Sequence, residues 1–162
     1  MLLWTCNVAR MGVPAMKLGE ALELLEGRPV SADFDPDIEI QAAGAADLMS
    51  DVLAFAQGVT VLLTGLLTPL VVRTAEVLGI RVLIFVRGKM PPSDIISLAA
   101  EEGVLLAATD LTLFEACGRL YSAGVQSSGV RGEARRQIDE KLAAFREKAV
   151  HDASAVEISP GE

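Results

Sequence analysis

The chain is 162 residues long, and 51% of them are apolar although only five Phe, one Tyr and one Trp are present. That length supports one domain with a full hydrophobic core, which must be built from Val, Leu, Ile and Ala, as buried parallel strands prefer. With 22 acidic and 14 basic residues the net charge is −8, which repels nucleic acid and anionic membranes and excludes both as expected partners.

Met1–Ala15 (MLLWTCNVARMGVPA) lacks the basic and apolar regions of a signal peptide. It is expected to be a loose N-terminal extension, an early start or an interface segment, with Met16 an alternative start. Lys17–Glu26 places Leu18, Ala21, Leu22 and Leu25 at helical spacing, and Gly27 ends that helix. Pro29–Ala32 reads as a short edge strand. Ser31–Asp37 is a turn, and Ile38, Ile40 and Ala42 alternate with polar residues as in a half-buried strand. Asp47–Ala56 (DLMSDVLAFA) reads as an amphipathic helix with a carboxylate at its positive end.

Three strand–loop–helix units then follow over residues 59–125. Their strands are Val59–Gly65, Arg81–Gly88 and Val104–Asp110, each an apolar run rich in β-branched residues and leucine. Thr68 and Pro69 give the first following helix a sharp start, and Gly79 ends it. Pro91, Pro92 and Ser93 prepare the second, which Gly103 ends; Thr109 or Asp110 caps the third. The longest apolar stretch, Val59–Val72, is interrupted and too short to span a bilayer. Beyond Gly124, QSSGVRG reads as a joint. Glu133–Val150 then carries Ile138, Leu142, Phe145 and Ala149 on a narrow stripe, as in a coiled-coil seam or a docked helix. The expected organisation is an extension over 1–15, an α/β domain over 16–125, a C-terminal helix over 126–152 and a disordered tail over 153–162.

Alternating strands and helices imply parallel strands joined by right-handed crossovers. The expected fold is a three-layer α/β/α sandwich around a mostly parallel sheet of about five strands. In such sheets ligands bind outside the carboxyl ends of the strands. That rim collects Thr64, Gly65, Arg87, Gly88, Lys89, Thr109 and Asp110.

Each candidate has a functional and a structural reading. Asp47, Ser50 and Asp51 share one face of a helix start; they suit a ribose, an amine or a divalent cation, or else helix capping. Thr64–Gly65 and Thr68 suit an anion cradle or an ordinary βα turn. Arg73 lies in the second turn of the helix that Thr68 heads. Arg87, beside Gly88 and Lys89, either grips a phosphate or pairs with Asp47, Asp51 or Glu115. Thr109 is a rim residue or a cap. Glu115 and Arg119 are spaced for an intrahelical pair, and Phe114, Leu120 and Tyr121 for core or dimer contact. Cys6 and Cys117 form no disulfide framework, Cys117 reads as a small buried residue, and His151 is the only histidine. No nucleophile–base pair and no metal-ligand spacing emerges, so no catalytic residue, metal or cofactor is assigned.

The segments DLMSDVLAF, LLTG, VVRTAEVLGI, FVRGKMP and ATDLTLFEACGRLYSAG, in that order, resemble stand-alone proteins of the DRTGG-domain family over roughly Met16–Val125. The pentapeptide that names the family is absent. The resemblance implies a three-layer α/β fold similar to the N-terminal domain of HPr kinase/phosphatase, a homodimer, and a regulatory or ligand-sensing role. It brings no kinase activity, since the chain has no G-x-x-x-x-G-K-[ST] loop.

The leading expectation is a non-catalytic, cytoplasmic, homodimeric domain that binds a small anionic ligand, a nucleotide among the candidates, at the rim. The site would be Asp47, Ser50, Asp51, Thr64, Gly65, Thr68, Arg73, Arg87, Gly88, Lys89 and Thr109. The alternatives are an interaction module that docks on a protein partner or a second copy, and an enzyme acting on phosphorylated or acylated small molecules. An open polar pocket at the rim favours the sensor, and a rim closed by internal ion pairs favours the interaction module.

Overall fold

A computed structural model describes residues 15–56 and 58–127. Apart from Ala15, Gln126 and Ser127, the expected extension, C-terminal helix and tail lie outside the described residues.

The chain begins with β1 (Met16–Lys17), α1 (Leu18–Leu24), β2 (Arg28–Pro29) and β3 (Glu39–Ile40). The strands β1 and β3 pair antiparallel, Met16 opposite Ile40, and set Ile38 and Ile40 into the core. Then come β4 (Ala43–Ala45), α2 (Met49–Phe55), β5 (Val61–Thr64), α3 (Pro69–Leu78), β6 (Val82–Phe85), α4 (Ser93–Glu101), β7 (Leu105–Ala108) and α5 (Leu113–Ser122). The main sheet has the order β2-β7-β6-β5-β4. Its β4 to β7 are parallel, and β2 lies antiparallel on the β7 edge. The three-layer, mostly parallel sheet is the fold expected.

Because β4, β5, β6 and β7 lie side by side in chain order, right-handed crossovers must put every connecting helix on the same face. Accordingly Met49, Val52, Val71, Ala75, Ile95 and Ala99 of α2, α3 and α4 pack with Leu62, Leu83, Phe85 and Leu106. The alternate strand residues Val61, Leu63, Val82, Ile84 and Ala107 face the other way, toward Leu18, Leu22, Ala116 and Leu120 of α1 and α5. All four residues of β5 and of β6 are buried.

Local details depart from the sequence expectation. The Ala43–Ala45 run has no β-branched residue and carries no strand signal, yet it pairs with Val61–Leu63 and becomes β4. Helix α2 starts at Met49 with Leu48 at its N-cap, so Asp47 lies outside it. Helix α5 is capped by Thr112, two residues beyond Asp110. The Thr112 hydroxyl accepts from the Glu115 N–H (3.3 Å) and the Glu115 carboxylate accepts from the Thr112 N–H (3.1 Å), a capping box. At the end of α1 it is Glu26, not Gly27, that takes a positive φ (50°). No helix among the described residues is long and apolar enough to cross a membrane.

Phe85 is fully buried between β6 and the α2–α4 layer. Phe85→Ala is expected to cost about 3–5 kcal/mol, measurable as a lower urea midpoint with an unchanged slope.

Candidate functional site

The carboxyl ends of β5 and β6 form the rim, and two loops meet there. The turn after β6 runs Val86–Arg87–Gly88–Lys89. Arg87 and Gly88 both have φ of 64°, the sign pattern of a type I′ turn. For Gly88 this is easy; for a non-glycine such as Arg87 it costs about 1–3 kcal/mol. The conformation is held by two hydrogen bonds to the loop after β7: the Arg87 N–H donates to the Leu111 carbonyl (2.8 Å) and the Gly88 N–H to the Thr109 carbonyl (3.0 Å). The Arg87 side chain is thereby aimed back across the end of β5.

There it lies over Gly65. A Cβ built on Gly65 would stand 1.8 Å from an Arg87 guanidinium nitrogen, so only glycine admits this approach. Asp47 completes the cluster from the β4–α2 loop. Its Oδ1 accepts from the Gly65 N–H (2.6 Å) and from the Thr64 hydroxyl (3.0 Å), and its Oδ2 from the Arg87 guanidinium (2.9 Å). Lys89 donates its ammonium to the Gly65 carbonyl. The ion pair is half-exposed, with 47% of the Arg87 side chain and 44% of that of Asp47 open to solvent. Partial burial pushes the Asp47 carboxyl upward, but the Gly65 N–H, the Thr64 hydroxyl and the Arg87 charge outweigh it and hold the group below the usual carboxylate range.

Of the residues singled out in the sequence, Asp47, Thr64, Gly65, Arg87 and Lys89 come together, with Gly88 shaping the turn. Thr68 heads α3 on the same loop, but its hydroxyl oxygen is buried and has no hydrogen-bond partner among the described residues. The others go elsewhere. Ser50 and Asp51 sit exposed on α2, and since Asp47 lies outside the helix the three do not share a helix face. Arg73 pairs with Glu102 at the end of α4 (2.9 Å). Thr109 is fully buried and donates to the Leu25 carbonyl (2.6 Å), which fastens α1 to β7. Arg119 reaches Glu26 (2.6 Å) and the Leu24 carbonyl rather than pairing with Glu115, whose carboxylate is held in the capping box.

One residue had no sequence signal. Arg28 of the edge strand reaches the rim and pairs with Asp110 (3.4 Å) beside Gly88. Leu120 is buried, but Phe114 and Tyr121 are 88% and 63% exposed and border a cavity of about 390 Å³ between β4 and α5, floored by Ala43, Ala45 and Leu63. Cys117 lines it too, half-buried, and burial pushes its thiol up, away from the reactive thiolate.

No protein-family model matches the chain, and no curated protein matches it in sequence. A solved structure does share its fold: the CBS and DRTGG domains of the regulatory region of Clostridium perfringens pyrophosphatase, complexed with the activator diadenosine tetraphosphate. The TM-score is 0.55 at 15% identity, over 81% of this chain and 61% of that one, so the chain spans about three fifths of that structure's length.

A carboxyl held low in the folded state adds stability that is complete above its ordinary value and is lost as the pH falls through the lowered one. Asp47→Asn should destabilise the domain by about 1 kcal/mol at neutral pH. The difference in melting temperature from the native chain should close as the pH drops below about 4. A difference that persists in acid would assign the effect to shape rather than charge.

Proposed function

We propose that this chain is a non-catalytic regulatory domain of the DRTGG type, cytoplasmic and homodimeric, that binds a small anionic ligand at the carboxyl rim of its sheet. A nucleotide or other phosphorylated metabolite is the ligand class. One observation carries the reading: a backbone N–H, a hydroxyl and a guanidinium converge on a single anionic group at the rim. That is the donor set a phosphate oxygen needs. Lys89 lies on the same loop and adds positive charge. The activator bound by the regulatory region of the pyrophosphatase is itself a nucleotide, which supports this ligand class.

The anion now held is the chain's own Asp47, and this favours the second reading, an interaction module. Exposed Phe114 and Tyr121 beside an apolar cavity fit that reading too. The half-exposed Arg87–Asp47 pair is nevertheless a weak lock, since such pairs contribute about 0–1 kcal/mol.

ATP and related nucleotides are expected to raise the melting temperature saturably, because they bind the folded state. Arg87→Ala should remove that shift. If no nucleotide moves the native chain, and Phe114→Ser with Tyr121→Ser lowers the native mass, the interaction module is the better description.

A further inference from the structure

Asp47 stands where an external anion would have to bind. Its two oxygens take the Gly65 N–H, the Thr64 hydroxyl and one Arg87 nitrogen, and the guanidinium also covers the Gly65 Cα. A phosphate cannot use these donors while the carboxylate holds them. Asp47 is also a tether. It lies two residues before α2, and it ties the β4–α2 loop to the end of β5, 18 residues further along the chain.

Helix α2 is short and seated by Met49 and Val52 alone among its described side chains. It has seven residues and no side-chain N-cap bond. A cavity of about 320 Å³ lies between it and the sheet, lined by Gly44, Ala46, Asp51, Val52, Ala56 and Leu62. Outside the core, Leu48 and Leu53 are 60% and 50% exposed. The start of α3, by contrast, is separated by four residues from β5, which is paired on both sides in the sheet.

We propose that Asp47 is an internal competitor for the anion site: a phosphate-bearing ligand reaches Gly65, Thr64 and Arg87 only by displacing the Asp47 carboxylate, and that displacement unties α2 from the rim. The proposal rests on the anion-binding reading above and adds what regulates it. The ligand-free domain is self-liganded. Its apparent affinity is the intrinsic affinity multiplied by the fraction of molecules in which Asp47 has swung out. The incoming phosphate carries more charge than the carboxylate it replaces and makes stronger bonds to the same donors. Lys89, bound to the Gly65 carbonyl, is left in place to meet it.

Isothermal titration of the full chain with ATP tests this. Asp47→Asn keeps the shape and removes the charge, and it should bind ATP up to about fivefold more tightly than the native chain; Arg87→Ala should abolish binding. ATP binding to the native chain, with equal or weaker binding to Asp47→Asn, overturns the competition and leaves the anion site standing. No binding to either overturns both. Should Asp47→Asn fail to fold by circular dichroism, hydrogen–deuterium exchange on the native chain decides. Saturating ATP is expected to speed amide exchange over residues 49–52; bound ATP with unchanged or slower exchange there overturns the proposal.

Discussion

Burial of β5, β6 and β7 between two helical layers governs where chemistry can occur in this domain. Every residue of β5 and β6, and all of β7 but Leu105, is out of contact with water. The strands' backbone groups are consumed by the ladders, and a polar side chain inside would have to find a partner or pay the desolvation cost. Polar residues therefore appear where the strands end. Thr60 enters β5 and accepts from the Gln41 N–H (3.2 Å); Thr64 leaves it and meets Asp47. Thr109 leaves β7 and is bonded to Leu25. The interior has no room for a charge, so Arg87, Lys89 and Asp47 are confined to the rim.

The winding then decides which part of the rim is used. In doubly wound sheets, a reversal of strand order parts two loops and opens a crevice. Here β4 to β7 run in order with no reversal, and the loops after β4, β5 and β6 all turn to one face. The chain parts to opposite faces only between the loops after β6 and β7, where α4 and α5 diverge. That opening is laced shut by the bonds from Arg87 to Leu111 and from Gly88 to Thr109. The polar cluster consequently forms one strand over, between the ends of β5 and β6. It is a shallow surface cluster, closed by the Asp47–Arg87 pair.

Much of this was legible in residue order. The runs at Val61, Val82 and Leu105 announced core strands, Thr68–Pro69 announced α3, and strand-end position alone selected Thr64, Gly65, Arg87 and Lys89. The rest depended on contacts between distant residues. The AGA strand forms because β5 offers it a ladder, a tertiary effect with no local propensity behind it. Asp47 looks like a helix-start carboxylate, but a 2.6 Å bond to the Gly65 N–H draws it out of the helix. The i, i+4 spacing of Glu115 and Arg119 suggests an intrahelical pair, but the Thr112–Glu115 capping box engages the acid and Arg119 turns to Glu26. That box was written in the sequence as T-x-x-E and was obscured by the more obvious Thr109–Asp110 step. Nothing in the letters Arg–Gly signals a positive φ at the arginine.

The two edges of the sheet are defended unequally. At β2, the Val30 N–H turns inward to the Leu106 carbonyl (2.8 Å), which leaves the nitrogen of Pro29 on the open side with no hydrogen to offer. An intruding strand finds no donor there. Among the described residues, the cover at β4 is a single bridge from Ala43 to Ser127, with the Ala43 N–H on the Gln126 carbonyl (2.9 Å). Small side chains on Ala43, Gly44 and Ala45 raise no steric barrier to a newcomer. Within the described residues, strand exchange and edge-to-edge pairing therefore have their weaker barrier at β4, and cleavage just before Gln126 would remove the bridge that covers it.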